Sequence, residues 1–84
     1  MSKLEQEIQA FFRSFALQVI NDAKADANDP RAVKQAMLEH YEDIYPAFAR
    51  TKTFKACPEG SENYATMVEA YRYNFTILLE GRLP

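Results

Sequence analysis

The sequence predicts an all-α domain, arranged as a three-helix bundle or as a helical hairpin with an added helix. Three observations favour this fold. Apolar residues recur at spacings of three and four along three segments, which is the period of one helix face, and each segment starts at a residue that commonly caps a helix. Glycine occurs only as Gly60 and Gly81, so few positions suit the tight hairpins of a β-sheet. No repeat or linker divides the chain, and we expect one domain over residues 1–84.

The first helix is predicted over residues 2–26. Ser2 and Glu5 match a capping box, in which each side chain accepts a hydrogen bond from the backbone N–H of the other residue. A wide apolar stripe follows, and polar residues take the opposite side. The stripe consists of Leu4, Ile8, Phe11, Phe12, Phe15, Val19 and Ala23, widened by Ala10, Ala16 and Ile20.

The second helix is predicted over residues 30–51. Asp29 is a favourable N-cap residue, and Pro30 suits the first helical position, where its missing N–H breaks no hydrogen bond. Pro46 lies inside the segment, so we expect a kink there, or a break followed by a new short turn. The apolar face consists of Val33, Met37, Tyr41, Ile44 and Phe48, with Leu38 and Tyr45 beside it.

Residues 51–60 are predicted to form a loop, because the threonines, proline and glycine in this segment disfavour a continuing helix. The third helix is predicted over residues 61–80, with Ser61 as its N-cap and Glu62 in its first turn. Gly81 is well placed to end it, and Pro84 cannot extend it. The apolar face consists of Tyr64, Met67, Val68, Tyr71, Phe75, Leu78 and Leu79.

Charge and length limit the classes of function. A formal net charge of −2 is too near neutral for strong attraction to nucleic acid or to an anionic membrane. We expect a cytoplasmic protein, since there is no secretory signal or membrane-spanning stretch and the single Cys57 forms no internal disulfide. An 84-residue domain buries only a modest core. The wide apolar stripes therefore predict self-association, as a homodimer, or a bound protein partner.

Two residues are candidates for chemistry, but neither has the neighbours that such a site needs. His40 is the only histidine; it can pair with Asp43 on one helix face, and no second histidine completes a common transition-metal set. Cys57 has no cysteine to pair with, and we interpret it as a small apolar plug under the loop. The sequence also lacks a glycine-rich phosphate loop. We expect no catalytic, cofactor-binding or metal site.

A basic cluster in the loop has three interpretations. Arg50, Lys52 and Lys55 surround Phe54. The first interpretation is a solvated loop whose phenylalanine folds back onto the core. The second is a protein-binding epitope, because an aromatic residue with flanking cations is typical of interface hot spots. The third is a nucleic-acid site, for which three charges are a small footprint.

Two apolar surfaces are further candidates for an interface. One is the wide stripe of the first helix, represented by Phe11 and Phe12. The other is formed by Tyr73 and Ile77, which lie four residues apart and off the main stripe of the third helix. These two side chains predict either a second, exposed apolar ridge or a flank of the core.

Part of the stretch from residue 36 to residue 84 resembles a known family. The similar residues are Ala36, His40, Gly60, Glu69-Ala70 and the ending from Ile77-Leu78-Leu79 through Gly81 to Leu83-Pro84. They make this stretch faintly similar to TraM-type antiactivators. That family comprises small helical dimers that bind and disable a quorum-sensing transcription factor. An alignment of both ends requires the deletion of about two turns from the last helix. The resemblance implies a regulatory binding protein, and it assigns no site residue.

We therefore expect a non-catalytic helical protein-interaction module that inhibits or modulates a larger protein, such as a transcription factor or another part of a bacterial or phage machinery. The first alternative is a structural, assembly or chaperone subunit. The second is a weak nucleic-acid binder that uses the Arg50–Lys55 loop. We expect no cofactor and no membrane partner.

Overall fold

The computed structural model describes residues 1–84, none of which forms a β-strand. The prediction of an all-α protein is confirmed. No helix combines the length and the apolar character that crossing a membrane requires. Five helices are present: α1 (Lys3–Asp22), α2 (Pro30–Glu39), α3 (Tyr41–Ala49), α4 (Lys52–Lys55) and α5 (Tyr64–Leu79).

Helix α1 begins as predicted and ends earlier. Ser2 Oγ accepts a hydrogen bond from the Glu5 N–H at 3.2 Å, and Glu5 Oε1 accepts one from the Ser2 N–H at 3.1 Å. The bond from the Ser2 backbone lowers the pKa of Glu5 below its usual value. The helix stops at Asp22 because Lys24 adopts a left-handed backbone with φ of +54°. The Ala25 N–H then bonds back to the carbonyl of Ile20 at 3.0 Å, which closes the helix end.

The predicted second helix is interrupted at His40 and not at Pro46. Helix α2 starts as predicted, with Asp29 Oδ1 accepting a hydrogen bond from the Arg31 N–H at 3.0 Å. At His40 the backbone leaves the helical region (φ −122°, ψ 12°), and α3 begins at the next residue. Pro46 therefore lies inside a helix that has only just restarted. Tyr41, the first residue after this break, is exposed and not on the buried face where the sequence placed it.

Two predictions about the third helix were wrong at its start. The predicted loop over residues 51–60 contains α4, and α5 begins at Tyr64, three residues after Ser61. Ser61 is not the N-cap; it lies in a turn before the helix, where its carbonyl accepts a hydrogen bond from the Tyr64 N–H at 3.2 Å. Asn63 takes the cap position without a side-chain hydrogen bond. The chain therefore makes one more turn before the helix starts.

The end of α5 is as predicted and is fixed to the start of α2. Gly81 has φ of +87°, its N–H bonds to the carbonyl of Leu78 at 3.0 Å, and the Arg82 N–H bonds to the carbonyl of Ile77 at 3.1 Å. This is the hydrogen-bond pattern of a glycine-terminated helix. Gly81 also packs directly against the backbone of Pro30. The glycine therefore serves both the cap and the contact between two helices.

The core lies between α1, α2 and α5. Helix α5 packs mainly along α1, α2 contacts both, and α4 contacts α1 and α3. The buried side chains of α1 follow one line at intervals of four residues. The eleven members of the core are Ile8, Phe12, Ala16, Ile20, Val33, Met37, Ile44, Phe48, Cys57, Met67 and Leu78.

The molecule is elongated and thin. Its principal extents are 39, 23 and 16 Å, so its shortest dimension is less than two helix diameters of about 10 Å each. It exposes 5720 Å², whereas a folded monomer of 9.7 kDa typically exposes roughly 5100 Å². The thin core leaves several large aromatic side chains partly uncovered, and these form the surface described next.

Candidate functional site

Phe48 of α3 is the centre of an aromatic cluster that joins four helices. Its ring centroid lies 5.2 Å from that of Phe11 in α1, 5.7 Å from that of Phe54 in α4 and 5.1 Å from that of Tyr71 in α5. Aromatic pairs at such distances each contribute about 0.5–1.5 kcal/mol beyond their buried area. Phe48 is buried and its three partners are only partly buried. The cluster therefore extends from the core to the surface.

The hydroxyl of Thr51 sets the turn that brings Phe54 into this cluster. Thr51 Oγ1 donates a hydrogen bond to the carbonyl of Phe48 at 2.7 Å and accepts one from the Phe54 N–H at 3.1 Å. One side chain therefore closes α3 and caps α4. Phe54 packs on Phe48 and on Tyr45, whose ring centroid is 6.0 Å away. Its folding back onto the core agrees with the first interpretation of this segment.

An open groove of about 540 Å³ lies beside the cluster and is bounded by α3, α4, α5 and the loop after α4. Its volume falls within the roughly 300–1,000 Å³ typical of sites for drug-sized ligands. Most of its surface is apolar. We call it the aromatic groove; its wall consists of Tyr45, Phe48, Phe54, Tyr64, Met67 and Tyr71, completed by Cys57, Pro58 and Val68.

Three charged residues also line the aromatic groove. Lys55 of α4 and Arg72 of α5 are exposed cations, and Glu59 is the carboxylate. Neither cation is in an ion pair, since the two ion pairs of the molecule are His40–Asp43 and Arg82–Glu80. The groove therefore combines an apolar wall with two unpaired positive charges and one negative charge.

Tyr71 gives the wall a neutral polar group. Burial raises the pKa of Tyr71 to about 12, with a smaller contribution from Tyr45. The Tyr71 hydroxyl thus stays protonated at neutral pH and is able both to donate and to accept a hydrogen bond. Tyr45 is 56 % exposed, and its ring meets that of Tyr71 edge-on at 6.1 Å. Tyrosine and arginine at an apolar surface are typical of protein interfaces.

A second groove contains the Tyr73 and Ile77 pair. It has a volume of about 770 Å³ and is formed by the start of α1, the outer side of α5 and the C-terminal residues. Tyr73 is 68 % exposed, whereas Ile77 is half-buried. Asn74 is 4 % exposed, and its Nδ2 donates a hydrogen bond to the Ala70 carbonyl at 2.7 Å. We call this the terminal groove; it is more polar than the aromatic groove, with Glu5, Gln9, Thr66, Glu69 and Arg82 in its wall.

The remaining interface candidates are distributed differently. The prediction of Phe12 as an interface residue was wrong, because this side chain is completely buried in the core. It lies at the centre of the apolar stripe of α1 and not at its edge. Phe11 is half-buried in the aromatic cluster. Lys52 borders a shallow groove with Lys3 and Glu7, and this groove meets the one that Lys55 lines at Cys57.

The three cations of the basic segment do not all line one groove. Arg50 is exposed at the C-cap of α3 and lines neither of these grooves.

The candidates for chemistry are placed separately. His40 Nδ1 lies 3.2 Å from Asp43 Oδ2 on an exposed face, which confirms the predicted pairing. Cys57 is buried in the wall of the aromatic groove, which fits its interpretation as an apolar plug. No group of three or more histidine, cysteine, aspartate or glutamate side chains is arranged to hold a metal ion.

No known protein family, curated protein or solved structure matches the chain. The resemblance to TraM-type antiactivators gains no support from these comparisons. Sequence reasoning found Phe54 and Lys55 of the aromatic groove, and it missed Arg72 and Met67 as neighbours of these residues. The one signal that pointed to the rest was the abundance of tyrosine, because Tyr45, Tyr64 and Tyr71 all line the groove.

Proposed function

We propose that the protein is a non-catalytic helical interaction module that binds a larger protein through the aromatic groove. The observation that carries this proposal is the groove itself, in which the exposed Tyr45 and the partly buried rings beside it meet two unpaired cations. Such a surface suits a few bulky side chains of a partner. A module of this kind inhibits or modulates its partner by occupying a surface that the partner needs. The partner that we propose is a transcription factor or another part of a bacterial or phage machinery.

Site-specific photocrosslinking tests the proposal. A photoreactive phenylalanine analogue replaces Tyr45, at the edge of the groove, and the matched control carries it at Leu17, which is 40 % exposed on α1 and lines none of the grooves described. In the native cells we expect an adduct with one larger protein at position 45 and none at position 17. Equal adducts at both positions, or none at either, would contradict binding through the groove.

The same experiment addresses self-association. The three-helix arrangement, the homodimer and the cytoplasmic location stay predictions. A dimer formed through the aromatic groove gives an adduct of twice the monomer mass at position 45, and light scattering on the purified protein then shows the same mass. A crosslink to a different protein together with a monomer in solution would instead favour the partner-bound form.

An assembly subunit is the second candidate, and the terminal groove is the observation that favours it. Tyr73 and Ile77 line that groove beside the half-buried Leu83, so a second apolar surface is available for packing in a larger particle. Substitution of Tyr73 and Ile77 by aspartate tests this role. If size in solution and partner binding are unchanged while the fold is retained, the terminal groove has no part in assembly.

Nucleic-acid binding remains the third prediction. It depends on Arg50, Lys52 and Lys55, which are all exposed but do not all line one groove. Retention on a nucleic-acid column at low salt is the direct test, because phosphate contacts are strongest there.

A further inference from the structure

The sign of the charge around the aromatic groove is opposite to that of the chain. The chain has 12 acidic and 10 basic residues, whereas the groove is lined by two cations, Lys55 and Arg72, and by one carboxylate, Glu59. Both cations are exposed, and neither is neutralised by an ion pair. An occupant of the groove therefore meets a net positive potential beside an apolar wall.

The terminal groove shows that this charge is specific to one site. Glu5 and Glu69 line the terminal groove together with Arg82, and the Arg82 guanidinium lies 2.6 Å from the Glu80 carboxylate. That groove thus has a neutralised cation and two carboxylates in its wall. Of the two large grooves, the aromatic one alone pairs an apolar wall with free positive charge.

The two cations come from different helices that both line the groove. Lys55 is the last residue of α4 and Arg72 lies in the middle of α5, and these two helices contribute Phe54 and Tyr71 to the wall between them. A bulky side chain in the groove therefore shares its lining with one cation from each of these helices. Charges placed at the edge of an apolar contact select partners of opposite sign and speed their association.

From this arrangement we infer that the occupant of the aromatic groove is an acidic, amphipathic segment of the partner protein. One or two of its aromatic or bulky aliphatic side chains fill the groove, and carboxylates on either side of them meet Lys55 and Arg72. The inference rests on the proposed function and adds the chemistry of the partner to it. Glu59 opposes such a segment and limits how tightly it binds.

Three labelled synthetic peptides test the inference on the full-length protein. They share one tryptophan and two leucines at helical spacing and differ only in their flanking residues, which are glutamate, glutamine or lysine. Fluorescence anisotropy at low ionic strength measures their affinities. We expect the glutamate peptide to bind about tenfold more tightly than the glutamine peptide, and the lysine peptide to bind most weakly. The differences shrink at about 0.5 M salt, where the screening length falls to roughly 4 Å.

Charge variants locate the effect. Lys55→Glu and Arg72→Glu each reduce the affinity for the glutamate peptide about tenfold, and Glu59→Gln raises it a few fold. Lys34→Glu is the matched control, since Lys34 is an exposed lysine of α2 that lines none of the grooves described; it changes the net charge equally and leaves the affinity almost unaltered. Far-ultraviolet circular dichroism confirms that each variant retains its helices.

The outcomes separate the inference from the proposed function. If the glutamine peptide binds as tightly as the glutamate peptide and Tyr45→Ala abolishes the binding of both, the groove is an interaction site and the acidic character of its partner is wrong. If Lys34→Glu weakens binding as much as Lys55→Glu, the attraction belongs to the whole surface, and the inference fails. If no peptide binds at millimolar concentration, the inference fails, whereas a crosslink to a partner at position 45 still supports the function.

Discussion

Substitution of Gly81 by alanine has two costs, a strained backbone and a steric clash with Pro30. The size of each cost follows from the geometry. Gly81 has φ of +87°, and an L-residue in this region costs about 1 kcal/mol. A Cβ atom there would lie 2.9 Å from the carbonyl carbon of Pro30 and closer still to its oxygen, whereas carbon atoms in contact are roughly 3.5–4.0 Å apart. Because both contacts are with backbone, α5 or α2 has to move, at a cost of about 1–3 kcal/mol. The expected loss is therefore about 3 kcal/mol in the free energy of unfolding.

Gly60 provides the matched control. Its φ is +90°, but no heavy atom lies within 4 Å of the position of a Cβ, so Gly60→Ala incurs the backbone cost alone, about 1 kcal/mol. Urea denaturation gives the free energy of unfolding of both variants and thermal unfolding gives their Tm, each followed by circular dichroism at 222 nm. For a domain of this size the expected drop in Tm is about 4–8 °C for Gly60→Ala and at least about 12 °C for Gly81→Ala. Equal losses would refute the contact between Gly81 and Pro30 as a determinant of stability.

Three further predictions concern the helix end, the aromatic cluster and the buried phenol. Lys24→Gly relieves a left-handed backbone and stabilises the protein by about 1 kcal/mol in urea denaturation; a destabilised variant would contradict that backbone conformation. Phe48→Ala leaves a cavity at the junction of four helices and costs about 3–5 kcal/mol, measured in the same way; a loss below about 1 kcal/mol would show that Phe48 is not central. The pKa of Tyr71 is raised to about 12. The protonated phenol therefore contributes fully to the free energy of unfolding below the pKa of about 10 found in the unfolded chain, and this contribution is lost as the pH rises from about 10 to 12. Discounted for its partial exposure, the contribution is about 1 kcal/mol, and it is the part of the alkaline destabilisation that Tyr71→Phe removes.

The helix starts and ends that the sequence predicted correctly have a common physical basis. At Ser2, Asp29 and Gly81 the residue type itself supplies what the helix terminus lacks: a side-chain acceptor for a free N–H, or a backbone that adopts positive φ without strain. These requirements are local, so a single sequence is enough to recognise them. The early end of α1 was missed because Lys24 performs the task of a glycine without being one.

The helix boundaries were predicted wrongly where tertiary contacts decide between two local conformations that the sequence allows. Thr51 disfavours the interior of a helix, yet at an N-cap position it starts one, and the packing of Phe54 on Phe48 favours the second option. Ile44 and Phe48 are in the core as the sequence predicted, whereas Tyr41, directly after the interruption at His40, is exposed. A continuous helix through residues 30–51 would have placed the two halves in one register, and no local signal at His40 marks the change.

The aromatic groove illustrates why a candidate site is harder to predict than the helices around it. Its wall combines residues from Tyr45 to Arg72, and they meet only because α3 breaks away from α2 and α4 turns back at Thr51. The periodicity of apolar residues predicted neither the break between α2 and α3 nor the turn at Thr51. Each wall residue on its own had an ordinary interpretation, either as core or as solvated surface. What distinguishes the site is the combination of a thin core, which leaves Tyr45 exposed and Phe54 only partly buried, with cations from two helices that have no ion-pair partner within the molecule. That combination is a property of packing, and it is the reason to look for an acidic partner at this surface rather than along the basic segment as a whole.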